Sequence, residues 1–350
     1  MTTDRLKAAL ESDIPGCLFA LRFDDEGRAE PGGAADVDRI GAPGEGFVWL
    51  HLDLNDPRVH ALLARLAFLD ENARKTLLGP IDAQFIEHSG DVVRGAFVDH
   101  ERTIVGRIPQ TGYLRFAVGE RFLISARDRP LSAVESTRVA LSAGFLAETP
   151  LDLFETIVGH LCDELGKMIY ELTLALDRIE EHIVGDGKGP RERTALGATR
   201  RAALRLAREV NGLRSPLLRL EATLSEPEQE DLKELGGRLS RRAEILAHDL
   251  AEVQDRARLL QDELNAIAGL VTNDRLYVLT VVTTLLLPAT FVTGFFGMNT
   301  KSLPFTEIDY GTAYAGALCL AASLVAFVII RRMGLTRPRD GDEGSKPPRS

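Results

Sequence analysis

Residues 276–296 read LYVLTVVTTLLLPATFVTGFF. No charge interrupts them, and about 21 such residues are what a helix needs to cross a hydrocarbon core of roughly 30 Å. A second uncharged run covers residues 312–330 and ends in Arg331 and Arg332, with Arg337 and Arg339 beyond. Two apolar runs so close together fit a membrane hairpin better than a pair of buried helices in a soluble core. A hairpin leaves both flanks on one side, and the arginines after the second run mark that side as cytoplasmic by the positive-inside tendency. The large N-terminal region and the C-terminus are therefore expected in the cytoplasm. Residues 297–311, GMNTKSLPFTEIDYG, then face outward.

Upstream the character changes. The 350-residue chain carries 42 Lys and Arg against 52 Asp and Glu, a net charge of −10, with 45% hydrophobic and 27% charged residues. These fractions exclude a wholly disordered or fibrous chain. The acidic balance argues against a nucleic-acid partner held by phosphate neutralisation and suits the collection of cations. Cys17, Cys162 and Cys319 stand too far apart for a CxxC zinc site or a disulfide framework, so a reducing compartment is expected. The first 25 residues carry Asp4, Glu11, Asp13, Asp24 and Asp25, and a signal peptide is not expected. With no P-loop, no GxSxG and no GxGxxG opening a helix, the chain does not read as an enzyme.

A single hairpin encloses no aqueous path, so transport requires several copies around an axis, joined by an oligomerising stripe and lined by a polar one. One helix offers both. Between residues 239 and 296 the only proline is Pro288. Apolar residues recur at Leu239, Ala243, Leu246, Leu250, Val253, Ala257, Leu260, Leu264, Ile267 and Val271, in alternating steps of four and three, which is a heptad seam. Almost opposite, at about 100° per residue, run His248, Glu252, Asp255, Leu259, Asp262, Ala266, Gly269 and Asn273. The same register continues into the membrane as Leu276, Thr280, Thr283, Leu287, Thr290 and Gly294. Taken singly, each residue fits a solvated face or ordinary threonine back-bonding. Taken together, they fit a conduit in which acids collect cations, hydroxyls replace hydration contacts and leucine rings gate by dewetting. His248, Glu252 and Asp255 have a spacing that would let them share a cation, and a solvated polar face accounts for the same residues. Pro288 frees a carbonyl, either as a simple kink or where helices line a cavity.

The stretch LPATFVTGFFGMN, residues 287–299, resembles the signature closing the first membrane helix of the CorA-type divalent-cation transporters. Its diagnostic part is Gly297, Met298 and Asn299. The resemblance extends to the organisation of essentially the whole chain. It implies a homopentamer with a cytoplasmic funnel, a first span lining the pore, a second span facing lipid, and the triplet at the outer mouth. On that basis Asn299 offers a ring of amides to a hydrated ion, and Gly297 allows a tight turn at the helix end. Leu276, Thr283, Leu287 and Thr290 then line the lumen, and Asp262 falls where the family tends to keep an acid near the cytoplasmic entrance.

The loop after the triplet carries Lys301 where the magnesium branch usually has acids, and Glu307 and Asp309 follow. FVWLHLDLNDP (47–57) and ARKTLLGP (73–80) resemble the zinc-transporter branch known as ZntB. The expectation is a zinc transporter of the inner membrane of a bacterium, driven by the ion gradient or the membrane potential, with proton coupling open. Magnesium or cobalt transport by the same architecture, and a non-conducting metal sensor or scaffold, remain the alternatives. The expected cargo is the divalent cation itself, with no covalently bound cofactor. The expected partners are further copies of the chain, lipid and cations, with no nucleic acid. The seven histidines supply no HxxxH pair and none lies in the spans, so ligand chemistry does not by itself select zinc.

The expected fold is an α+β cytoplasmic funnel domain with long stalk helices plus a two-helix transmembrane hairpin. Residues 1–150 form the α/β domain, 151–275 the long helices and stalk, 276–296 and 312–330 the spans, 297–311 the outer loop, and 331–350 a basic tail without fixed structure. Strands are expected over 17–23, 47–53, 85–88, 92–98, 113–118 and 121–125, helices over 57–68 and 72–78, and a loop over 26–46. Long helices follow over 151–184 and 191–224, the second with an arginine-rich, solvated face.

Overall fold

The computed structural model describes residues 13–40, 44, 46–101, 111–184, 190–224, 229–298 and 310–332. The chain divides into two compact units, Met1–Gln261 and Asp262–Ser350. The first is built on a seven-stranded sheet of β1 (Cys17–Phe23), β2 (Ala29–Pro31), β3 (Phe47–Asp53), β4 (Phe85–Ser89), β5 (Val92–His100), β6 (Thr111–Gly119) and β7 (Phe122–Arg127). Their spatial order is β2-β1-β3-β7-β6-β5-β4. The β3–β7 pair is parallel and the other pairs are antiparallel.

The run FVWLHLD of β3 is buried almost throughout, as a central strand covered on both faces must be. Val48, Leu50 and Leu52 join a core with Val59 and Leu63 of α2 (Arg58–Arg65) and Ala73 and Leu77 of α3 (Glu71–Leu78). The other face is covered by helices α4 (Ser132–Ser142) and α5 (Pro150–Val184). There Phe154 of α5 meets Phe116 at 4.5 Å between ring centroids, and Phe116 meets Phe97 at 5.1 Å. Such aromatic pairs add about 0.5–1.5 kcal/mol beyond the area they bury.

Helix starts follow local chemistry. Thr149 Oγ1 accepts the Asp152 N–H at 3.1 Å while the Asp152 carboxylate accepts the Thr149 N–H at 3.0 Å, a reciprocal cap with Pro150 at the first helical position. Asp70 caps α3 through the Ala73 N–H at 2.6 Å. At α2 Pro57 holds the cap position, and Asp56 accepts the Arg58 N–H at 2.9 Å.

Residues 26–46 are not the continuous loop expected. They contain β2, which pairs with β1, and a short helix, here α1 (Ala34–Asp38). Arg22 and Glu30 join the two strands at 2.7 Å, and the Gly33 N–H donates to Asp36 at 2.9 Å. Helix α4 is also absent from the sequence reading. The remaining elements are α6 (Pro190–Thr223), α7 (Glu230–Phe296) and α8 (Gly311–Arg332). The α7 helix starts upstream of residue 239 and contributes to both units.

A polar pair lies inside the sheet. Trp49 Nε1 donates to Ser125 Oγ at 2.8 Å, which leaves the serine proton for His51 Nδ1 at 2.8 Å. His51 is fully buried, and its Nε2 has no protein partner. Burial, with the Arg127 charge adding, pushes its pKa down to about 3. An unfolded histidine titrates near 6.5. Its contribution to stability is therefore complete above pH 6.5 and is lost as the pH falls toward 3. Asp99 acts in the opposite sense: burial raises it to about 6, so its contribution falls as the pH rises from 3.8 to 6. His51→Phe is expected to remove an acid-side loss on the order of 4 kcal/mol, since Ser125 keeps the Leu50 carbonyl at 3.5 Å as acceptor. Thermal unfolding across pH 4–7.5 checks this; a slope identical in variant and parent contradicts it.

Candidate ion path

In the first unit the α7 seam is buried: Leu239, Ala243, Leu246, Leu250, Val253, Ala257 and Leu260. This corrects its expected use as an oligomer contact, because the neighbours are helices of the same chain. Arg238 pairs with Glu155, Arg242 with Asp163, and Arg256 with Asp177 and Glu180 along α5, at 2.6 to 2.9 Å. The Glu155 hydrogen bond is the main cause that raises the Arg238 pKa. On α6, Arg214 reaches Glu244 at 2.9 Å. Exposed pairs of this kind contribute about 0–1 kcal/mol each, so the apolar seam carries most of the packing. Further along α7, Leu264 is still buried while Val271 is exposed.

The opposite stripe is open. His248, Glu252 and Asp255 are exposed in the first unit, and Asp262 and Asn273 in the second. Among the described residues no three His, Cys, Asp or Glu side chains form a group able to hold a metal ion, so His248 has no ligand set of its own. His182, in the last turn of α5, donates through Nδ1 to the Arg178 carbonyl at 2.6 Å.

In the second unit α7 and α8 are each long and apolar enough to cross a membrane. They pair antiparallel: Ser323 Oγ donates to the Leu285 carbonyl at 3.0 Å, and Cys319 Sγ lies 3.8 Å from the Ala289 carbonyl. Val281, Thr284, Leu285, Pro288, Ala289 and Val292 of α7 are at least half-covered. The predicted stripe of Leu276, Thr280, Thr283, Leu287, Thr290 and Gly294 is exposed throughout, with Leu287 at 67% and Leu276 at 56%. Beside Gly294 there is open space.

The threonines do more than line a face. Thr280, Thr283 and Thr290 donate back to the carbonyls of Leu276, Leu279 and Leu286 at 2.7 to 2.8 Å. Each hydroxyl proton is thereby committed, and each outward oxygen is left as an acceptor. Acceptors are what the outward-pointing protons of a hydrated cation need. Gly297 ends the helix with its N–H on the Thr293 carbonyl at 2.8 Å, and Met298 follows with its N–H on Phe295. A Cβ on Gly297 would sit 3.0 Å from that same carbonyl, so the end is tight. Met298 is exposed. Asn299, Lys301, Glu307 and Asp309 lie outside the described residues, as do residues 333–350 of the tail.

The second span contributes residues that the sequence reading passed over. Ala315, Cys319, Ala322, Ser323 and Ala326 form its half-covered side. Small residues at three- and four-residue spacing in an apolar run are the signal for close helix packing, and that spacing is legible in the sequence.

A family model described as CorA-like Mg2+ transporter protein matches residues 44–332. The zinc transport protein ZntB of Photorhabdus laumondii is 26% identical over 318 residues, covering 89% of this chain and 93% of that protein. The divalent cation transporter CmaX of Pseudomonas aeruginosa is 25% identical over 333 residues, covering 94% and 99%. Among solved structures, full-length CmaX superposes with a TM-score of 0.76 at 23% identity, covering 93% of this chain and 99% of that one. The CorA magnesium transporter of Methanocaldococcus jannaschii gives 0.74 at 15% identity, covering 91% and 98%. The ZntB cytoplasmic domain of Vibrio parahaemolyticus gives 0.56 at 15% identity, covering 72% and 98%.

Proposed function

Because the chain belongs to the CorA-like Mg2+ transporter family, we propose that it carries divalent cations across the bacterial inner membrane, with Zn2+ as its main cargo. The observation that carries this reading is the division of α7 into two sides. One is covered by α8, and the other presents Leu276, Thr280, Thr283, Leu287, Thr290 and Gly294 with hydroxyl acceptors outward. Five copies around an axis bring five such faces together. The ion stays largely hydrated, passes the oxygen rings of Thr290, Thr283 and Thr280, and meets dewetting constrictions at Leu287 and Leu276. Gly297, Met298 and Asn299 form the outer mouth, and Asp262, Asp255 and Glu252 hold cations at the cytoplasmic end. Inward movement gains about 2.3 kcal/mol per charge per 100 mV of membrane potential. No Asp, Glu, Lys, Arg or His sits within either span, so any proton coupling runs through the loop residues Lys301, Glu307 and Asp309 or the cytoplasmic acids.

The similarity to ZntB of Photorhabdus laumondii and the lysine at position 301 support zinc over magnesium. A ring of lysines repels a nearby divalent cation by roughly 1 kcal/mol per charge pair in water, which lowers ion concentration outside without closing the path. Lys301→Glu removes a repulsion common to both ions and puts an acid where the magnesium branch usually has one, so magnesium flux in proteoliposomes is expected to rise relative to zinc flux. An unchanged ratio removes the loop from the selectivity argument. Zinc flux below magnesium flux in the parent moves the cargo to Mg2+ or Co2+.

A further inference from the structure

Pro288 has no N–H to give the Thr284 carbonyl, so α7 is weakest at that turn, in the middle of its exposed stripe. The helix nevertheless runs unbroken from Glu230 to Phe296. The two contacts from α8 bracket this turn. Ser323 Oγ reaches the Leu285 carbonyl at 3.0 Å, before the proline, and Cys319 Sγ lies 3.8 Å from the Ala289 carbonyl, just after it. Donors and acceptors are each four residues apart, so one turn of α8 meets one turn of α7 in antiparallel register. The hydroxyls of Thr280, Thr283, Thr284 and Thr290 spend their protons inside their own helix, whereas the Ser323 proton crosses to the neighbour.

We propose that Ser323, assisted by Cys319, is a positioning residue of the ion path: it ties the second span to the carbonyls on both sides of Pro288 and so sets the rotation at which the Thr283–Leu287–Thr290 face is presented. This rests on the reading of that face as the path. The chemistry suits the task. A proline in a membrane helix is tolerated where neighbours and hydroxyl side chains rebuild the polar contacts around it. A helix that lacks this hydrogen bond has a soft torsion there, and a rotation of one residue position would replace Leu287 and Thr290 by Leu286 and Ala289. The oxygen acceptors would then turn away from the ion. A small-residue side on α8 brings the backbones close enough for a serine to reach across.

The test uses the full-length protein in liposomes. Single cysteines at Thr283, Leu287, Thr290 and, on the adjacent face, Leu286 are exposed to a membrane-impermeant, water-soluble thiol reagent, with the parent's native cysteines as background. Labelling at 283, 287 and 290 but not 286 is expected. Adding Ser323→Ala is expected to spread labelling to 286 and to lower zinc flux about threefold, the typical worth of one interhelical hydrogen bond. Ser323→Cys, which keeps a donor, is expected to restore flux without reagent present, and Cys319→Ala to have a smaller effect of the same kind. Equal labelling patterns and equal flux with and without Ser323→Ala overturn the tie and leave the path reading standing. Absence of labelling at all three stripe positions in a transporting parent overturns the path reading, and the tie with it.

Discussion

Leu287→Lys is expected to abolish divalent-cation flux while the oligomer still assembles, and Leu287→Ala is expected to retain it. Leu287 is 67% exposed and lies midway along the stripe, between Thr283 and Thr290. An ammonium about 5 Å from a divalent ion costs roughly 1.7 kcal/mol even at the dielectric of bulk water, more than tenfold in rate for each copy. Inside a narrow, poorly solvated path the penalty is larger, and copies around an axis multiply it. Alanine removes the constriction without adding charge, so a pore opens more readily rather than closing. A lysine at the centre of a span also costs about 2.5–3.5 kcal/mol of insertion, so oligomer size in detergent must be compared alongside flux. Zinc flux surviving in an intact Leu287→Lys oligomer would show that ions do not pass this face.

The second large effect concerns the first unit, Met1–Gln261. Gly46→Val is expected to lower its unfolding temperature by more than about 10 °C, or to prevent its accumulation. Gly46 has φ +74°, in the left-handed region, and a Cβ there would lie 1.9 Å from the Phe23 carbonyl oxygen. The conformation alone costs about 1–2 kcal/mol for a side-chain-bearing residue. The clash is with backbone, so no rotamer change relieves it. Relief requires β1 and β3 to part at the point where Phe23 and Phe47 stack at 4.2 Å, both buried. The total is on the order of 4 kcal/mol, a large share of the stability of one domain. Gly90→Ala is a useful control, since it shares a positive φ of 61° but has open space around it. Circular dichroism melts of the two full-length variants separate the conformational cost from the clash; equal melting temperatures would contradict the steric argument.

How much of this was legible in the sequence depended on whether the signal was periodic and local. The uncharged runs at 276–296 and 312–330 lie within α7 and α8, and the continuous apolar run FVWLHLD became the central strand. The Leu276-to-Gly294 stripe is exposed in the single chain while α8 occupies a different side of α7, a side that the register of the stripe does not name. The heptad seam illustrates the limit. Its spacing matches buried packing from Leu239 to Leu264 but not at Val271, and spacing does not name the partner: α5 and α6 of the same chain flank it in the first unit. Residues 26–46 were hidden by their glycines and prolines: β2 is three residues long and is held by pairing to β1, a contact no local window contains. Helix α4 was likewise missed. The tie from Ser323 was illegible for the same reason, since a serine in an apolar helix ordinarily bonds back to its own backbone.

The most direct measurement is metal influx into liposomes containing the full-length protein, with zinc and magnesium followed by internal fluorescent dyes under an imposed inside-negative potential. Influx of both ions above that of protein-free vesicles is expected, with zinc faster, and loss of both on Leu287→Lys. An intact oligomer that moves neither ion would contradict transport and make the membrane-anchored sensor the reading to pursue.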